Sequence, residues 1–256
     1  MELPLFPLNS VLSPGIALPL HIFEERYRAM VRHCLETTSP FGVVLIREGR
    51  ETGVGAISFS GIGTIAEIRD AGRGDDGRYD LLVVGTRRFE IRTVLNEKSP
   101  YLVAEVDVLD ETVGDEQAAA QLAMRATRRF VAYLELLQPR SGETADEIDV
   151  RVEIETEDDE DEDAEPGGIA DVPEETEPDI PQRRRVTIPD DPTVLSHLLA
   201  GILQVEAPRR QALLEAATTE DRLRALIGLI DRETVLLRRR LRVFRPEPHV
   251  IGARRS

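Results

Sequence analysis

Hydrophobic and polar positions change period three times along the chain. From Leu3 to Tyr27 the pattern reads as two short apolar strands, joined by a turn at Asn9-Ser10 and Pro14-Gly15, running straight into a helix. Prolines 4, 7, 14 and 19 cannot donate to a ladder, so these strands belong at sheet edges or barrel rims. In the helix, Tyr27, Met30, Val31, Cys34 and Leu35 recur at the spacing of a buried stripe, and Glu24 and Glu25 suit the positive end of its dipole. Phe41–Ile46 is a short apolar run read as a buried strand. The glycine-rich stretch 53–69 becomes extended, and its glycines mark turns, bulges or close strand crossings. A turn cluster at 70–77 leads to Tyr79–Val84 and Arg87–Val94, which read as a hairpin-like pair around Gly85-Thr86. Tyr101–Leu109 alternates with period two.

The period then becomes helical. Ala123, Ala126, Phe130, Leu134 and Leu137 recur at three or four residues until Pro139 ends the run. Asp190-Asp191-Pro192 starts another helix by N-cap and N1-proline chemistry. A short helix follows Pro208, and a long one from Thr219 opens on a Thr218–Asp221 spacing like a capping box. The expected class is α+β: a small, mixed, partly closed β barrel with one helix (1–112), then a C-terminal helical bundle (113–140 and 188–245).

Charge separates the stretch between the helical segments from the rest. The formal net charge is −16, yet residues 141–180 alone hold 19 Asp and Glu against one arginine, Arg151. The remaining residues, with 31 basic and 29 acidic side chains, are near neutral. Such a segment buries too little apolar surface to offset its ordering entropy, so 141–187 is expected to be a disordered acidic linker and 246–256 a flexible basic tail. Aromatics are 4% of residues and tryptophan is absent, which disfavours aromatic cages and base-stacking platforms. The single cysteine, Cys34, falls on a buried helix stripe; it excludes a disulfide framework and fits a reducing cytoplasm. No apolar run reaches a membrane span, and no basic region precedes the first apolar stretch, so a soluble, unexported protein is expected.

The opening motif Leu-Pro-Leu-Phe-Pro-Leu at 3–8, then Pro14-Gly15, Leu18-Pro19-Leu20-His21-Ile22-Phe23-Glu24 and Arg26-Tyr27, resembles the N-terminal substrate-binding domain of Lon proteases, nearest to stand-alone bacterial versions lacking the ATPase and protease domains. Gly61–Ile68 and Gly85–Ile91 are similar to that family's internal strand motifs, and His197–Ala200, Gln211–Glu215 and Arg222-Leu223 to its helical half. The resemblance covers about 2–138 and 190–243 and implies a PUA-like pseudo-barrel that binds unfolded or tagged proteins.

Catalytic chemistry is missing from these residues. The only lysine, Lys98, lies in the turn Asn96–Pro100, so neither a P-loop nor a Ser-Lys dyad can be built, and the glycines at 53–63 do not fit GxGxxG. Histidines 21, 33, 197 and 249 lack metal-ligand spacing, and His21 with Glu24 reads as a capping arrangement rather than a dyad. No catalytic residue, cofactor or metal site is expected. The expected function is non-catalytic binding of proteins or unfolded polypeptides, in a groove between barrel and helices or on a barrel edge strand. Phe6, Phe23, Tyr27 and Phe89 are groove candidates, although such positions more often belong to the core. The alternative is a nucleic-acid-binding regulator using Arg238, Arg239, Arg240, Arg242, Arg245, Arg254 and Arg255, a group that otherwise reads as a solvated helix face. A membrane partner is not expected, and the sequence leaves oligomeric state open.

Overall fold

The computed structural model describes residues 1–48, 58–95, 99–137, 151–153 and 185–243, with the backbone alone for 151–153, 185–187 and 241–243. Its order is β1 (Glu2–Leu8), β2 (Ala17–Ile22), α1 (Glu25–Thr37), β3 (Phe41–Glu48), β4 (Ser58–Phe59), β5 (Ile62–Arg73), β6 (Tyr79–Leu95), β7 (Leu102–Val108), α2 (Glu116–Leu137), β8 (Arg151–Glu153), β9 (Arg185–Thr187), α3 (Pro192–Ile202), α4 (Ala207–Leu214) and α5 (Thr219–Val243). A mostly antiparallel sheet with five helices makes the chain α+β.

Five strands close a ring. β1 pairs antiparallel with β7 through Glu2–Leu5 and parallel with β3 through Leu5–Leu8, while β7–β6–β5–β3 complete the circuit. Alternate residues fill the interior: Leu3, Leu5, Val44, Ile65, Phe89, Ala104 and Val106, drawn from all five strands. Phe89 takes the space left by two glycines, since a Cβ on Gly42 or Gly63 would lie 2.6 or 2.7 Å from its Cζ. The opposite parity on β1 and β3, Phe6, Leu8, Phe41 and Val43, packs with Leu81 and Val83 of β6, beyond its register shift, under α1, whose Tyr27, Met30, Val31 and Cys34 cover them.

One expectation is corrected here. Tyr79–Val84 and Arg87–Val94 are not a hairpin but one 17-residue strand, β6. Gly85 does not turn the chain; it lets β6 pass beneath the β1–β2 loop, where a Cβ would meet the Ser13 carbonyl oxygen at 2.5 Å. The hairpin is instead β5–β6, turned over Gly74–Arg78 with Gly77 at φ 77°.

α3 and α5 begin where the sequence says, while α4 starts at Ala207 and includes Pro208 in its first turn. Asp191 caps α3 by accepting from the Val194 N–H at 2.8 Å, with Pro192 at its start. Thr218 Oγ1 accepts from the Asp221 N–H at 3.0 Å to open α5. α5 packs on α3 and α4, and α4 sits against the ring through Leu214, Val11 and Leu45. The described residues up to Leu136 and from Asp190 form one compact unit, and β8 and β9 belong to another. Of the expected acidic linker, only β8 and β9 are described, paired in parallel; the rest, with Lys98, His249, Arg245, Arg254 and Arg255, lies outside the described residues.

Candidate functional site

Alternation along β2 decides what it shows to solvent. Leu18, Leu20 and Ile22 turn inward, toward Val83, Leu81 and Tyr79 of β6. Ala17, Pro19 and His21 turn outward and are exposed. Among the described residues β2 pairs with β6 alone, so it is a sheet edge. The Gly85 N–H donates to the Ile16 carbonyl at 3.0 Å, which hands the ladder bonds to the even-numbered residues. Pro19 therefore sits where its missing N–H leaves no ladder bond unmade.

This outer face sets apolar side chains among charged ones, with Asp70 of β5 on the other side of Leu82. Pro19 lies opposite Leu82, which is 41% exposed, and His21 lies opposite Asp80, with Nδ1 donating to Oδ1 at 2.6 Å. Phe23, just beyond the strand, is 51% exposed and stacks on His21 with ring centroids 6.3 Å apart. A large apolar side chain held open at a sheet edge gains nothing for the fold and is available to a partner.

Behind this face β6 reaches the helices through a buried charged cluster. Arg88 donates to Glu111 Oε1 at 2.6 Å and Oε2 at 3.2 Å, and to the carbonyls of Leu214 and Ala216 at 2.8 Å each. Arg222, fully buried, donates to Glu111 Oε2 at 3.1 Å, Ser196 Oγ at 2.9 Å and the Leu213 carbonyl at 3.2 Å. Burial alone would raise the Glu111 carboxyl's pKa. The hydrogen bonds of Arg88 and the charge of Arg222, with the His197 ring beside them, outweigh it and hold the group well below the usual carboxylate range. His197 Nε2 lies 3.3 Å from Glu111 Oε1 without hydrogen-bond alignment. Burial depresses its pKa against the pull of Glu111, and the cluster sets two guanidinium groups against one carboxylate. This seam offers a polypeptide no apolar groove. A separate cleft of about 550 Å³ opens between β1, the end of α1 and the start of β7, with mixed walls including Glu2, Leu3, His33, Thr37, Ser99 and Tyr101.

Of the four aromatic candidates, Phe6, Tyr27 and Phe89 are core, at 6, 3 and 0% exposure. Phe23 is the exception, and its signal was available: it shares odd parity with Pro19 and His21, the set that faces away from the core. His21 and Glu24 do not pair. Glu24 occupies the N-cap of α1 without a side-chain bond to it and pairs with Arg26 at 3.0 Å, because β2 aims His21 at Asp80. Cys34 is buried, and burial, only partly offset by a hydrogen bond with Ser39, pushes its thiol up to about 11. Arg238, Arg239 and Arg240 are exposed at the end of α5. Among the described residues, no group of three His, Cys, Asp or Glu could hold a metal ion and no helix is long and apolar enough to cross a membrane.

Residues 2–232 match the profile of the ATP-dependent protease La (LON) substrate-binding domain. Lon protease 2 of Myxococcus xanthus is 25% identical over 237 residues, 92% of this chain and 24% of the relative. The Lon protease of Anaeromyxobacter dehalogenans is 26% identical over 238 residues, with the same shares. The chain thus spans about a quarter of the length of these curated relatives. Among solved structures, a Lon N-terminal domain protein from Xanthomonas campestris aligns over 89% of this chain and 98% of its own, at 25% identity and a TM-score of 0.54. The N-terminal domain of Mycobacterium avium complex Lon protease, 17% identical with a TM-score of 0.57, agrees in fold over 90% of this chain and 98% of its own. By the extent of the profile match, this chain belongs to the Lon substrate-binding domain family.

Proposed function

We propose that this protein is a non-catalytic, adaptor-like module that binds unfolded polypeptide segments on the outer face of β2–β6. The observation that carries the reading is the exposure of Phe23 and Leu82 beside Pro19 at an unpaired sheet edge. In this reading 1–112 is a PUA-like pseudo-barrel bearing the face, 113–140 and 188–245 are a helical bundle bracing it, 141–187 is an acidic linker and 246–256 a basic tail. The module works in the cytoplasm, as its lone buried cysteine suits. Apolar segments hidden in folded proteins are exposed in unfolded ones, so an apolar strip of this kind selects clients by folding state rather than by sequence.

The test is binding of a fluorescently labelled, reduced and alkylated protein that cannot refold. Phe23→Asp and Leu82→Asp should each weaken binding by about tenfold or more, because a client loses apolar burial there, with the unfolding midpoint unchanged. Unaltered affinity in both variants would sink the proposal. The rival surface is the exposed run Arg238–Arg240. If binding instead tracks a nucleic acid, falls steeply with salt and is lost on replacing those arginines, the nucleic-acid reading takes its place.

A further inference from the structure

The backbone of β2 restricts what can dock more tightly than its side chains do. Ladder bonds to β6 occupy the even-numbered residues, so the carbonyls of Ala17, Pro19 and His21 and the N–H groups of Ala17 and His21 point away from the sheet. All three residues are exposed. Leu18 and Leu20 face the core yet remain half-buried, since among the described residues no strand follows β2 to cover them. The edge therefore has both unmade hydrogen bonds and uncovered core surface, the two things that an added strand supplies.

We infer that the client segment joins β2 as an additional extended strand, its alternate residues bonded to Ala17, Pro19 and His21. This rests on the reading of β2–β6 as the docking face and narrows the ligand to extended chain with free amides at every second position. Helical segments and segments with proline at a bonded position are rejected. The client can donate to three carbonyls but receives from only two N–H groups, because Pro19 has none. That gap keeps strand addition short-lived and stops the edge from templating a second copy of the protein. Side chains on one parity of the client lie beside Ala17, Pro19 and His21, and those on the other cover Leu18 and Leu20.

The probe is an end-blocked peptide of alternating valine and threonine with a lysine at each end, presented to the full chain. N-methylation of one alternating set of amides should weaken binding by about tenfold or more while methylation of the other set is tolerated, since only one set faces β2. Saturating peptide should slow hydrogen exchange at the Ala17 and His21 amides. Pro19→Val, which restores a third donor, should tighten binding about fivefold, the yield of one net hydrogen bond. If the peptide binds in a manner abolished by Leu82→Asp, yet both methylated forms bind equally and the two amides exchange unchanged, strand addition is refuted and face docking stands. A peptide that fails to bind where the unfolded protein binds refutes it too. Should neither bind, the docking face itself is wrong and this inference falls with it.

Discussion

Glu111 is the group whose removal the fold should tolerate least. It lies between β7 and α2, and its carboxylate is the shared acceptor for Arg88 on β6 and Arg222 on α5, which are 3 and 0% exposed. Glu111→Gln keeps the shape but removes the charge and one acceptor, leaving two buried guanidinium groups with carbonyls and one hydroxyl for company. Breaking a buried ion pair by removing one partner costs about 3–5 kcal/mol. The Glu111 side chain retains 30% of its surface in water, which argues for the low end, about 3 kcal/mol. For a domain of this size that lowers Tm by roughly 6–12 °C. Urea unfolding followed by circular dichroism at pH 7 measures it directly. The pH dependence tests the cause. Glu111's folded pKa is depressed, so its contribution is present above the unfolded value of about 4.3 and is lost as pH falls toward the folded one. The gap between wild type and Glu111→Gln should therefore close in acid. His197, also depressed, destabilises the protein as pH drops below about 6.5, because the unfolded ring takes up the proton first, and does so more in the variant, which lacks the carboxylate that raises its pKa, so the comparison is read below the His197 range. A variant within about 0.5 kcal/mol of wild type at pH 7 would refute the account.

Three further outcomes follow from local geometry. Gly63→Ala should destabilise by about 3 kcal/mol and Gly42→Ala by less, because the first drives a Cβ to 2.5 Å from the fixed Val43 carbonyl oxygen while the second meets only the Phe89 and Leu3 side chains. Gly61→Ala, with nothing within 4 Å, should stay within about 0.5 kcal/mol in the same urea assay. Asp191→Ala should cost about 1 kcal/mol, since the bond to the Val194 N–H is lost, read as a small drop in melting temperature. Cys34 should resist a thiol reagent at pH 8 in the native protein and react promptly in urea, its thiol being raised to about 11 by burial.

Much of this architecture was legible because its causes are local. Asp191-Pro192 and Thr218–Asp221 announce helix starts by chemistry confined to four residues, and of the expected stripe Tyr27, Met30, Val31 and Cys34 face the core, while Leu35 at its margin is 40% exposed. Gly85 misled because a glycine that permits a turn and one that permits a close crossing look the same until the partner, Ser13, is placed beside it. The charged cluster was invisible for a related reason. Arg88, Glu111, His197 and Arg222 are spread over the chain, carry no mutual spacing, and meet only once the ring and helices are assembled. Phe23 could have been separated from the core aromatics by parity alone, but an aromatic beside a helix start looks like an anchor when strand direction is unknown.

The ring's closing strand also sets an order of events during synthesis. β1 emerges first, yet one of its two partners, β7, ends at Val108, so the strand is made early and used late. At ribosomal speeds of about 5–20 residues per second, it waits roughly 5–20 s for β7, long after β3 has been made. Pro4 and Pro7 remove two of its donors throughout that interval, making the waiting segment a poor seed for pairing with a neighbouring nascent chain. If the proposed reading holds, a binder of unfolded chains carries, in its own first strand, a safeguard against becoming one of its clients.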